Sequence, residues 1–160
     1  MKSDFQIRAQ GERELVMTRS FAATRDMVFE AYTTPALLRR WLGVRAGWEM
    51  VVCEIDLRVG GKYRWVWRNA ERGIEMGMGG VYREISPPER IVCTEQFDDP
   101  WYPGEALGTV TFVEAAGKTL LTLTMRYATA AARDAVLASP AATGVAEGFD
   151  KLAEVLATMR

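Results

Sequence analysis

Histidine is absent from the 160 residues of this chain. Its absence removes the commonest general base near neutral pH and the commonest metal ligand. It also excludes Ser-His-Asp and Cys-His mechanisms within one chain. Cysteine is scarce, with Cys53 and Cys93 the only two. Each sits in an apolar stretch and reads as a reduced core residue, since a buried free thiol behaves as a small hydrophobe. Two cysteines without histidine make a poor zinc site, and no metal or cofactor is expected. Net charge is only −1, so no broad electrostatic pull toward nucleic acid or anionic lipid is expected. No apolar run approaches the ~20 residues of a spanning helix. The start, Met1-Lys2-Ser3-Asp4-Phe5-Gln6, lacks the apolar core of a signal peptide. The expectation is a cytoplasmic protein that contacts neither nucleic acid nor membrane.

What the chain does have is a concentration of large rings around one Gly-Gly turn. Glu54 to Arg58 leads into Gly60-Gly61, and Lys62-Tyr63-Arg64-Trp65-Val66-Trp67 follows. In a strand, Tyr63, Trp65 and Trp67 share one face, opposite Lys62, Arg64, Val66 and Arg68. Such a wall either packs as plain sheet core or lines a cavity. Met76, Met78 and Tyr82 share a phase further along, and methionine adapts equally to irregular ligands and to gaps in a core.

The rest of the chain reads as strands and amphipathic helices. Arg13 to Phe21 is a first strand. Thr24 caps a helix to about Tyr32, and Thr34-Pro35 starts another, over Ala36 to Leu42, that stops at Gly43. Trp48 to Arg58 and the aromatic strand surround the Gly-Gly turn. Residues 74–85 form a strand whose Gly77, Gly79 and Gly80 suggest a bend or bulge. Arg90 to Phe97 follows, then a hairpin of Leu107 to Glu114 with Thr119 to Tyr127. On its second strand the apolar set Leu121, Leu123, Met125 and Tyr127 faces the final helix. Thr129 caps a short helix to about Leu137. After Ser139-Pro140, Val145, Phe149, Leu152, Leu156 and Met159 recur at helical spacing. No linker or repeat interrupts this order, so one domain over residues 1–160 is expected, with its core at about 13–157. Consecutive strands with short turns imply a curved antiparallel sheet around the last helix, an α+β arrangement with room for a pocket.

The chain resembles the START-like (SRPBCC, helix-grip) superfamily. Within it, the chain is similar to the bacterial branch homologous to the activator of the ninety-kilodalton heat-shock protein ATPase (AHSA-like). The resemblance rests on Val28-Phe29-Glu30-Ala31-Tyr32 with Pro35 and Trp41, and on Asp56-Leu57-Arg58-Val59-Gly60-Gly61. It continues through Gly80-Val81-Tyr82-Arg83-Glu84-Ile85, Pro87 to Val92, Lys118 to Thr124, and Gly148-Phe149-Asp150-Lys151-Leu152. It implies a seven-stranded sheet gripping a long C-terminal helix, with two short helices after the first strand and a cavity between sheet and helix. It implies no single chemistry, because related folds bind lipids, sterols or hormones, or cyclise aromatic polyketides. The eukaryotic activator's chaperone role involves a further N-terminal domain, for which this chain has no room.

Three functions follow as expectations. The first is binding of a small hydrophobic or aromatic molecule, with Tyr63, Trp65, Trp67, Met76, Met78 and Tyr82 as pocket candidates. Trp101, Tyr102, Leu123, Met125, Phe149 and Leu152 complete that set. Trp101 and Tyr102, in a proline-flanked loop, form a lid, a homodimer contact or packing on Trp41. The second is a cyclase- or aromatase-like enzyme, and it turns on Glu54, Asp56 and Arg58. These alternate onto one face, either as an outer ion-pair ladder or as inward polar anchors. Inward, Arg58 would hold a carboxylate or enolate and Glu54 would serve as a base. The third is protein interaction, as a chaperone-associated stress-response module or a dimer, which predicts an exposed apolar patch.

Overall fold

A computed structural model of the chain describes residues 3–159. Its centre is an eight-stranded antiparallel sheet in the order β1-β2-β8-β7-β6-β5-β4-β3. The strands are β1 (Gln6–Gln10), β2 (Glu14–Phe21), β3 (Glu49–Ile55), β4 (Lys62–Asn69), β5 (Ile74–Ser86), β6 (Arg90–Phe97), β7 (Ala106–Ala115) and β8 (Lys118–Arg126). Helices α1 (Arg25–Thr33) and α2 (Pro35–Leu38) connect β2 to β3, and α3 (Ala130–Ala138) and α4 (Ala141–Thr158) follow the sheet. Among the described residues no helix is long and apolar enough to cross a membrane.

The eighth strand corrects the expected seven. β1 pairs with β2 from Gln6↔Thr18 to Gln10↔Glu14. All of its residues but Ile7 are exposed, so its sequence lacks the alternation that marks a half-buried strand. Backbone pairing to an otherwise open edge holds it.

Local chemistry places the other boundaries. Thr24 caps α1 by accepting from the Met27 N–H, and Thr129 caps α3 by accepting from the Ala132 N–H. The α2 helix is shorter than the expected run to Leu42. Arg40 and Trp41 donate to the carbonyls three residues back, those of Leu37 and Leu38, and the chain tightens into turns. The β7–β8 hairpin turns at Ala116 and Gly117, with φ of 53° and 76°, the positive pair that matches strand twist in a two-residue loop. The expected irregularity in β5 lies at Tyr82/Glu84 rather than at the glycines. Gly80 serves close approach instead: a Cβ there would lie 1.9 Å from the Thr94 carbonyl oxygen.

The concave face of the sheet and one side of α4 share the core. Phe149 and Leu152 are fully covered, as are Trp41, Phe112 and Leu121 facing them. The Phe149 ring meets Phe21 edge-on at 5.9 Å and Trp41 at 6.3 Å. The Trp41 Nε1–H donates to the Ala31 carbonyl at 3.0 Å, which satisfies the polar atom of a buried indole. A second cluster, including Leu15, Met17, Met125, Tyr127 and Val136, lies under α3. Arg19 on β2 reaches Asp150 on α4 at 2.7 Å and ties sheet to helix.

Candidate functional site

Between the sheet and the N-terminal half of α4 lies a cavity of about 540 Å³. Its walls combine bulky side chains on some elements with glycines on others. Trp65, Trp67, Met78 and Tyr63 supply bulk from β4 and β5, while Gly108 on β7 and Gly144 and Gly148 on α4 supply none. A Cβ at Gly108 would approach the Met125 sulfur to 3.1 Å, so that glycine lets Met125 lie along the wall. Gly43 has a similar role at the far side. Its φ is +68°, and a Cβ would lie 2.2 Å from the Trp67 indole nitrogen, whose N–H donates to the Leu42 carbonyl at 3.0 Å.

The aromatic strand is therefore both core and wall. Tyr63 and Trp67 are buried, and the Tyr63 and Trp65 rings lie 4.5 Å apart. Together with Met76, Met78, Trp101, Tyr102, Leu123, Met125 and Phe149, these three residues border the cavity. Two expected members do not. Tyr82 packs behind Tyr63 at 5.5 Å, and Leu152 is wholly enclosed in the core; neither borders the cavity. Trp101 stands at the rim, 47% exposed. It rests edge-on against Phe97 and Tyr102 at 6.2 and 5.2 Å.

Glu54, Asp56 and Arg58 do not border the cavity, and their use as inward anchors is corrected. The strand before the turn ends at Ile55, because the Arg58 N–H donates to the Asp56 carbonyl and the chain curls toward Gly60. Asp56 and Arg58 pair at 2.9 Å in solvent, an interaction that contributes little. Glu54 is exposed and stands opposite Arg64. Cys53 and Ile55 carry the inward parity of β3, opposite Trp65 and Tyr63.

The carboxyl group that does enter the cavity is Glu95 on β6, which the sequence reading passed over. Cys93 and Phe97 border the same cavity, and two-residue alternation along Arg90–Phe97 carries the signal that would have found it. Among the described residues the Glu95 carboxyl group has no hydrogen bond and no ion pair. Burial alone pushes its carboxyl group up to about 7, since a low-dielectric setting disfavours the charged form. Burial also raises the phenols of Tyr32, Tyr63, Tyr102 and Tyr127, and the Glu95 charge adds to each. Burial pushes the Cys93 thiol up to about 12, so this thiol is no ready nucleophile. The Tyr63 hydroxyl donates to the Thr94 carbonyl at 2.5 Å, whereas the Tyr102 hydroxyl and the Trp65 indole N–H are buried without partners among the described residues. Both cysteines are free. Among the described residues no group of three or more acid or thiol side chains could hold a metal ion.

The arrangement offers an apolar ring-lined space, one acid able to change protonation near neutrality, and neutral phenols around it. Solved structures share the architecture. A crystal structure of a Rhodobacter sphaeroides protein is similar over 97% of this chain and 99% of that one, at 37% identity and a TM-score of 0.89. Protein CV1439 from Chromobacterium violaceum is similar over 90% and 96%, at 27% identity and a TM-score of 0.76. Protein Ms6760 from Mycobacterium smegmatis, at 21% identity over 97% and 98% with a TM-score of 0.84, shares the fold. No curated protein matches the chain. The family model described as Activator of Hsp90 ATPase homolog 1-like protein matches residues 22–157, and the chain belongs to that family.

Proposed function

We propose that the chain binds a small hydrophobic or aromatic molecule in the cavity between the sheet and α4. One observation carries this reading: a space of about 540 Å³ walled by indole, phenol and thioether side chains. Pockets of this size and lining bury most of a small ligand's surface. Trp101, at the rim and half exposed, is proposed to close over the bound molecule.

A thermal-shift screen with apolar and aromatic compounds tests the reading. A ligand at about one hundred times its Kd stabilises by about 2.7 kcal/mol, enough to raise Tm by roughly 5–10 °C in a chain of this size. The same ligand should shield Trp101 from iodide quenching relative to a Trp101→Phe control. Absence of any shift across the panel would remove the binding role. Unchanged quenching alongside a clear shift would remove only the lid.

A second reading, acid–base catalysis, is favoured by Glu95 rather than by the residues first singled out. Its carboxyl group near 7 is matched to proton transfer at neutral pH. Turnover that follows Glu95 ionisation and disappears in Glu95→Gln would move the chain from binder to enzyme.

A further inference from the structure

We propose that the cavity selects an organic cation, a small aromatic or alkyl amine, whose ammonium group pairs with Glu95 while its apolar body lies among the rings. This rests on the cavity being a ligand site. Glu95 is the one carboxylate bordering it among the described residues. A lone carboxylate in an apolar wall is costly to ionise, and here no protein cation offsets the cost. The groups that face Glu95 are Tyr32 from α1, Tyr63 from β4, Cys93 from its own strand, Tyr102 from the 98–105 loop and Tyr127 after β8. None is a lysine or arginine.

Those neighbours also supply what an ammonium group favours besides a counter-ion. Aromatic faces attract cations through their quadrupole, more strongly when water is excluded. Tyr63, Trp65, Phe97 and Tyr102 border the same space. Among the described residues the surroundings of Glu95 thus hold no positive charge and are completed by a partner that brings one. Arg45 and Arg72 border the cavity only as exposed residues, where water screens them.

Three probes of one size separate the possibilities: 2-phenylethylammonium, 2-phenylethanol and phenylacetate, titrated into the full chain by calorimetry at about pH 8. The ammonium should bind at least about tenfold tighter than the alcohol. Glu95→Gln should abolish that preference. In the unmodified chain the ammonium's affinity should rise about tenfold from about pH 6 to about pH 8, as Glu95 ionises, while the alcohol's stays level. Equal affinity for ammonium and alcohol overturns the charge selection and leaves the binding site standing. So does a preference that survives in Glu95→Gln. Tightest binding of phenylacetate, lost on replacing Arg45 and Arg72 by alanine, would transfer recognition to the rim arginines. Failure of all three probes, with the chain folded, overturns the binding site itself.

Discussion

At the scale of single residues, a carboxyl group raised by burial works against folding wherever it is ionised. Glu95 moves from an ordinary value of 4.5 up to about 7. Below about 4.5 both folded and unfolded chains hold the proton, and Glu95 contributes no penalty. Between these values the folded chain binds more protons, so stability falls as pH rises. Above about 7 the loss is complete, at up to about 3 kcal/mol. Glu95→Gln should therefore be the more stable protein at pH 8, with the gap narrowing as the pH is lowered toward about 4.5. Urea unfolding across that range checks this, and a gap independent of pH would refute the assignment. The residue was legible in principle. Tyr63, Trp65 and Trp67 were placed on one face from their spacing, and the same parity applied to β6 puts Glu95 beside Cys93 and Phe97. Glu54, Asp56 and Arg58 are the more conspicuous charged residues because they lie next to the rings in sequence. Cross-strand register, which sequence does not display, sets Cys53 rather than Glu54 opposite Trp65.

At the scale of elements, the glycines of β5 show how one residue type carries different meanings. Gly77, Gly79 and Gly80 suggest a bend or bulge, yet the register slips at Tyr82/Glu84. The glycines serve contact instead. At Gly77 a Cβ would lie 2.3 Å from Asp98 Oδ2, beside the Arg64–Asp98 ion pair. At Gly80 it would strike the Thr94 carbonyl, the acceptor for the Tyr63 hydroxyl. Gly80→Ala should thus cost roughly 1–3 kcal/mol through forced separation of β5 and β6, measured by thermal unfolding. Gly144→Ala, with nothing closer than 3.6 Å, should stabilise by up to about 1 kcal/mol, because it removes a glycine from a helix. The long periodic elements could be read from sequence, since amphipathic spacing in α4 and alternation in β8 reflect faces that must be buried. β1 could not, because Gln6, Arg8 and Gln10 are exposed and backbone pairing leaves no mark on side-chain choice.

At the scale of the whole molecule, α4 does two jobs along its length. Its second half carries Phe149, Leu152, Val155 and Leu156 into the core, and Asp150 holds Arg19. Its first half, with Ala141, Ala142, Gly144 and Val145, borders the cavity. Gly144→Leu should fill that space. It also removes a helix-interior glycine, whose cost relative to alanine is about 1 kcal/mol. The variant should melt at the same temperature as the parent or higher and lose the thermal shift given by a cavity ligand. Retention of the full shift would place the ligand elsewhere. The same division has a consequence in time. Helix α4 starts beside the cavity, so its opening turns lean on empty volume while its closing turns lean on packed rings. Amide hydrogens over residues 142–147 should exchange with solvent faster than those over 149–156. An occupant of the cavity should slow the first group while leaving the second unchanged, so the cavity-facing end of the helix would open first and give a ligand its way in.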